Sequence, residues 1–259
     1  MTANALPRVL LHGWGLNLRV FDTLAAAWST QPAPPAVMAF DLPGHGASTL
    51  HGDLLAQGVD AVAEQMARAL PHRMHLVGWS LGGLVAVAVA ARAPQRVASL
   101  TLLASTPRFV AAPDWPHGLA PAVLAGFAAH LQQDYARTVH EFLELQVRGS
   151  AQGSATLQAL QAALAVQGAA TPQALAAGLT LLAEVDLRRA LPAITMPALV
   201  ISGQYDRVTP PAAGRALAAA LPRGAYREVA RAGHAPFISH APQVAAWLDE
   251  FIAEAGDAG

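Results

Sequence analysis

Gly78-Trp79-Ser80-Leu81-Gly82 constrains this chain more than any other segment, because it joins the apolar run Met74–Val77 to a helically patterned stretch, Leu81–Arg92. A serine set between a strand and a helix sits on a turn tight enough to strain its backbone. Positions two before and two after it must then lack a side chain, and glycine fills both. The helix that follows points its free N–H groups and positive dipole end back at the serine, where negative charge would develop during acyl transfer. G-x-S-x-G alone arises by chance in glycine-rich sequences. Its strand–turn–helix setting makes Ser80 a candidate nucleophile rather than a plain helix-start serine.

Five more short apolar runs share that pattern: Val9–Leu11, Val37–Phe40, Leu100–Leu103, Leu199–Ile201 and Tyr226–Val229. Helical spacing of apolar residues is found over Arg19–Trp28, Leu54–Leu70, Leu81–Arg92, Ala212–Leu221 and Gln243–Ala253. Short apolar runs alternating with helices predict an α/β fold, a mostly parallel central sheet flanked by helices. Ligands of such sheets bind at the carboxyl ends of the strands, and here those ends carry Gly, His, Ser and Asp. The alternation stops between 107 and 191, which reads as wholly helical, with turns at Gly149–Ser154 and Gly168–Thr171. The expected organisation is a core of 1–106 and 192–259, with 107–191 inserted as a helical cap over the strand ends.

A serine hydroxyl needs a base, and the base needs an orienting acid. In a fold of this layout the order along the chain is nucleophile, acid, histidine. His234, in Gly233-His234-Ala235-Pro236, follows the sixth run and precedes the last helix, where the base belongs; His117, His130, His140 and His240 fall in the cap or at a helix start. Asp206 lies just past the fifth run and is the expected acid, ahead of Glu184, Asp186 and Glu228. Asp41, in Asp41-Leu42-Pro43-Gly44-His45-Gly46, precedes Ser80 and reads as part of a loop closing the sheet edge. An oxyanion hole needs two backbone donors. Leu81 N–H, beside the nucleophile, is one; Trp14 N–H, in the loop His12-Gly13-Trp14-Gly15, is the other, with its indole walling the pocket.

Composition removes other chemistries. The 259 residues contain no cysteine, and all sixteen basic residues are arginine, which excludes disulfides, thiolate sites, a P-loop lysine and a lysine Schiff base. A net charge of −1 gives no electrostatic footprint for nucleic acid or an anionic membrane. No metal-ligand spacing and no phosphate-binding glycine pattern occur, so neither metal nor cofactor is expected. Met1–Pro7 holds no basic cluster and no apolar run reaches spanning length, so a cytoplasmic protein is expected.

These motifs resemble the α/β-hydrolase family. More narrowly, the chain is similar to the pimeloyl-[acyl-carrier protein] methyl ester esterases of biotin synthesis over nearly its whole length. The segments that carry the narrower resemblance are Leu11–Asn17, Gly78–Val85 and His234–His240, and in the cap Val123–Phe127, Arg137–Val139, Phe142–Gln146 and Val185–Arg188. The resemblance implies an α/β-hydrolase fold and a monomeric serine carboxylesterase. It would cleave the methyl ester of pimeloyl-acyl carrier protein, with that carrier as partner and small esters as further substrates. It implies substrate contacts from Trp14, Ser80, Leu81, Phe142, Leu143, Glu144, Leu145, Gln146 and His234. Phe109 and Phe127 would serve as pocket residues and Arg137 as a carrier contact.

The cap departs from the family in charge. Glu141 stands where a second arginine is expected, Ser154–Gln167 has no basic residue, and residues 107–190 hold five arginines against six acids. Such a surface steers an acidic carrier weakly, leaving Arg137, Arg148, Arg188 and Arg189 for docking. Two other readings stay open: a broad-specificity short-chain carboxylesterase without a carrier, and a non-catalytic ligand-binding relative. The second has no use for an aligned Ser80, Asp206 and His234.

Overall fold

The computed structural model describes residues 6–257. Most of Met1–Pro7, read above as holding no basic cluster, and the last two residues of the 192–259 core segment lie outside them. Six parallel strands form one sheet: β1 (Arg8–Leu11), β2 (Val37–Phe40), β3 (Met74–Trp79), β4 (Val97–Leu103), β5 (Ala198–Gly203) and β6 (Gly224–Val229), in the order β2-β1-β3-β4-β5-β6. The chain leaves β1 toward the β2 edge and returns to the other side of β1 for β3. This reversal opens a crevice at the carboxyl ends of β1 and β3, the place where open parallel sheets bind ligands.

Eleven α-helices occur among the described residues: α1 (Asp22–Ser29), α2 (Asp53–Ala56), α3 (Val59–Ala69), α4 (Leu81–Arg92), α5 (Pro121–Leu131), α6 (Tyr135–Val147), α7 (Gly153–Gln167), α8 (Pro172–Glu184), α9 (Pro211–Ala220), α10 (Pro236–Ser239) and α11 (Ala241–Asp257). Leu81 through Ala90 of α4 are all buried, as expected of a helix apolar on every side. Each of its buried Leu and Val side chains contributes roughly 1.5–3 kcal/mol. Small residues bring α4 onto the sheet: a β-carbon on Gly82 would stand 2.3 Å from Leu11 O, so only glycine permits that approach.

Several predicted elements change shape. The pattern over Arg19–Trp28 opens as a 3-10 turn, Leu18–Phe21, and continues as α1. The one over Leu54–Leu70 divides into α2 and α3 at Gly58, whose φ of +98° breaks the helix. The last helix runs longer than Gln243–Ala253. Residues 107–191 are not wholly helical. The segment 107–120 carries isolated bridges, Val110 with Leu119 and Ala112 with Trp115, and a 3-10 turn runs from Arg188 to Ala193. Pro107, Pro113 and Pro116 interrupt helical hydrogen bonding over the first part.

Three of the four helices between β4 and β5, α6 to α8, are tied to the rest of the molecule by specific bonds. Asn17 Nδ2 donates to Ala163 O and Gly168 O at 3.0 and 2.9 Å, Thr171 N to Gly44 O at 2.9 Å, and His234 N to Gln146 O at 2.8 Å. All four reach loops that follow the carboxyl ends of β1, β2 and β6, which sets these helices above the crevice.

Candidate active site

Register explains which loops meet. Leu11 pairs with Gly78, so the loop leaving β1 runs beside the turn leaving β3. A β-carbon on Gly13 would lie 3.2 Å from Ser80 Cβ and from the Trp79 ring. Gly203 pairs with Val229 at the other end of the sheet, which brings the loops carrying Asp206 and His234 together.

Ser80 has φ 55° and ψ −120°, a left-handed conformation that a non-glycine residue holds only under constraint. The constraint is visible: Ser80 N donates to Leu103 O at 3.1 Å, and Ser105 Oγ donates to Ser80 O at 2.9 Å. Ser80 Oγ lies 2.9 Å from His234 Nε2, and His234 Nδ1 lies 2.8 Å from Asp206 Oδ2. All three residues are buried. A carboxylate only accepts, so Nδ1 carries the ring proton and Nε2 presents its lone pair to the serine hydroxyl.

Asp206 is held in turn. Its Oδ1 accepts from Val208 N at 2.8 Å and Thr209 N at 2.9 Å, and its Oδ2 from Thr209 Oγ1 at 2.7 Å. Trp79 Nε1 donates to His234 O at 2.8 Å and fixes the backbone that bears the imidazole. The four rival histidines stand elsewhere: His117 packs edge-on against Trp115, His130 and His140 face Glu141 and Glu144, and His240 bonds Ser239. Asp186 pairs with Arg188, whose hydrogen bond does most to lower its pKa to about 2, and with Arg108; Glu228 pairs with Arg215. Glu184 lies on an outer groove of about 610 Å³ between α5 and α8, whose walls include neither Ser80 nor His234.

Leu81 opens α4, and the first N–H groups of a helix have no partner within it. Two buried histidines that the motif reading left without a role brace the opposing loop. Leu42 N donates to His12 Nε2 at 3.0 Å, so His12 Nδ1–H donates to Gly13 O at 2.8 Å. Gly15 N donates to His45 Nε2 at 3.3 Å, and His45 Nδ1–H donates to Pro43 O at 2.9 Å. Burial holds both rings neutral, with the pKa lowered to about 4 for His12 and about 3 for His45; the neighbouring His12 adds to the drop at His45. Asp41, at the end of edge strand β2, accepts from Leu18 N, Ala47 N and Gln167 Nε2, and so staples its loop.

The segment 142–146 divides between two faces of α6. Phe142, Leu143 and Gln146 are buried and Leu145 is half-buried. Phe142 stands edge-on to Trp14 at 4.9 Å and to Phe127 at 5.4 Å, forming a wall of three aromatic rings. Gln146 Oε1 is buried with no protein partner. Glu144 is on the outer face, exposed and 3.4 Å from His140, and is not brought to the site. Phe109 is buried, and Arg137 is exposed and paired with Glu141 at 2.8 Å. Thr209, Ser105 and Trp79 also support the site. Thr209 was legible as the end of an Asp-x-x-Thr turn; the other two act through contacts that no local pattern announces.

Such a hydrogen-bonded chain can move a proton from Ser80 to His234 as the serine attacks a carbonyl, and return it to a leaving group. The sequence pattern of the alpha/beta hydrolase fold matches residues 9–241. The chain belongs to the α/β-hydrolase family. This hydrolase is 43% identical over 245 residues to a pimeloyl-[acyl-carrier protein] methyl ester esterase of Stenotrophomonas maltophilia, covering 95% of this chain and 92% of the relative. It is 41% identical to the enzyme so named in Aeromonas hydrophila, covering 94% of each. A solved hydrolase from Oleispira antarctica shares the fold at a TM-score of 0.84 and 19% identity, over 97% of this chain and 92% of the other. No helix among the hydrolase's described residues is long and apolar enough to cross a membrane.

Proposed function

We propose that this hydrolase is a serine carboxylesterase that cleaves the methyl ester of pimeloyl-[acyl-carrier protein] in biotin synthesis. The observation that carries the chemistry is the contact of 2.9 Å between Ser80 Oγ and His234 Nε2, backed by Asp206. The names of its relatives, at 39–43% identity, support the substrate. Ser80 attacks the methyl ester carbonyl while His234 takes its proton. The backbone N–H groups of Trp14 and Leu81 stabilise the oxyanion. Collapse expels methoxide, which leaves as methanol with the proton from His234. Water, deprotonated by the same ring, then releases the pimeloyl chain as a free carboxylate still joined to its carrier.

Residues 107–191 act as a cap over the 1–106 and 192–259 core. Phe142, Leu143, Leu145 and Gln146 line the acyl path with Phe109 and Phe127, and Arg137 faces the carrier. The enzyme works in the cytoplasm as a monomer without a cofactor, and neither nucleic acid nor membrane is a partner.

One observation favours a second reading, a short-chain carboxylesterase with no carrier. Arg137 is neutralised by Glu141, and α7 bears no basic residue. The two are separated by turnover of pimeloyl-[acyl-carrier protein] methyl ester and of short p-nitrophenyl esters, by wild type and Ser80→Ala. Efficient carrier-ester cleavage supports the first reading; fast short-ester turnover with negligible carrier-ester cleavage selects the second. Activity that survives Ser80→Ala overturns the mechanism.

A further inference from the structure

Gly178, in the middle of α8, lies against both residues whose backbone N–H groups face the developing oxyanion in the proposed reaction. A β-carbon on it would stand 2.6 Å from Trp14 Cδ1, 3.1 Å from Trp14 Nε1 and 3.5 Å from Leu81 Cδ2. One turn earlier in the same helix, Leu175 O accepts the Trp14 indole N–H at 2.8 Å. The Leu175 side chain also reaches Gly15, where a β-carbon would lie 3.4 Å from Leu175 Cδ2. On its other side the indole meets Phe142 of α6. Trp14 is 1% exposed, so the indole has little room to move elsewhere.

A glycine inside a helix is destabilising relative to alanine. Here the close approach offsets that cost: only a residue without a side chain lets α8 rest on the indole. Trp14 and Gly15 are consecutive residues of the loop that faces Ser80 across Gly13, so a displaced indole moves the backbone that carries the Trp14 N–H.

We propose that Gly178 is a positioning residue, and that α8, through Gly178 and the Leu175 carbonyl, sets the Trp14 side of the oxyanion hole. The helices inserted between β4 and β5 thereby support transition-state stabilisation as well as covering the substrate. This rests on the serine-esterase reading above, but not on the identity of the acyl carrier.

The test uses the full chain, p-nitrophenyl butyrate as substrate and a fluorophosphonate to count serine-competent sites. Wild type, Gly178→Ala and Trp14→Phe are compared, the last keeping a ring but losing the indole N–H. Per labelled site, Gly178→Ala is expected to lower kcat about 10- to 100-fold with KM changed less than threefold. Binding of a trifluoromethyl ketone, which forms an oxyanion on the serine, should weaken by the same factor. Trp14→Phe should lower both quantities about fivefold or more, and it carries the test if Gly178→Ala yields no labelled sites. Unchanged kcat, a rise in KM alone, or lost kcat with ketone affinity intact overturns the proposal. Failure of the fluorophosphonate to label wild type, or turnover by Ser80→Ala, instead overturns the esterase reading on which it rests.

Discussion

His234 Nδ1 lies 2.8 Å from Asp206 Oδ2, and neither side chain has any solvent exposure. A pair so placed leaves one ring tautomer available for work. In Asp206→Asn the new amide would turn its NH2 toward Nδ1, because its carbonyl is drawn to the Val208 and Thr209 N–H groups. The ring proton then moves to Nε2, and the lone pair facing Ser80 is lost. On the proposed mechanism kcat for a p-nitrophenyl ester falls by about 10⁴. Steady-state kinetics on folded protein checks this, and a loss under tenfold would show that the acid lies elsewhere.

Gly82→Ala tests the packing that presents Ser80. The added β-carbon would meet Leu11 O at 2.3 Å and His12 O at 2.4 Å, and both are backbone atoms that cannot swing aside. We expect a loss of about 1–3 kcal/mol in urea unfolding and a melting temperature lower by roughly 2–12 °C. An unchanged urea midpoint would mean that α4 can slide on β1.

Acid should weaken the fold through two rings remote from the surface. Unfolded, His12 and His45 protonate near pH 6.5; folded, burial lowers their pKa to about 4 and about 3. Below pH 6.5 the unfolded chain binds protons that the folded protein refuses. Their contribution is therefore complete above about 6.5 and is lost as the pH falls toward 4 for His12 and toward 3 for His45, at up to about 1.4 kcal/mol per pH unit for each ring. Urea midpoints at pH 7.5, 6 and 5 measure the slope. His45→Gln should flatten it between 6.5 and 5, and an equal slope in the variant would contradict the assignment.

Charge on α6 provides a separate test of the carrier. Arg137 is exposed and spent on Glu141. Glu141→Arg frees it and adds a second cation, so cleavage of the carrier-linked methyl ester should rise about three- to tenfold in kcat/KM at low ionic strength. Added salt should erase the gain, and p-nitrophenyl butyrate turnover should stay the same. No gain with the carrier ester would show that the carrier docks away from α6.

Much of the site was readable because it depends on local rules. The strained turn at Ser80 demands flanking glycines, and the expected order of nucleophile, acid and base follows from how parallel strands deliver their ends to one edge. The face of α6 was readable too, though not from a contiguous segment. Phe142, Leu143 and Gln146 share one side at helical spacing, which leaves Glu144 facing out. The split at Gly58 was hidden because apolar spacing continues across it, whereas the irregular 107–120 segment was announced by Pro107, Pro113 and Pro116, which weigh more than the helical pattern that follows them.

What the sequence determined by itself is the α/β order and the candidates it delivers to one edge: Ser80, Asp206 and His234, proposed to attack, to orient the base and to accept a proton. Tertiary structure alone decided how the loop proposed to form the oxyanion hole is held. The groups that hold it are the Leu175 carbonyl, the missing side chain of Gly178 and the neutral rings of His12 and His45. They act through close approach and burial between segments up to 164 residues apart (14 to 178). A backbone carbonyl and an absent β-carbon leave no pattern in a sequence; they acquire a role only when another element packs against them.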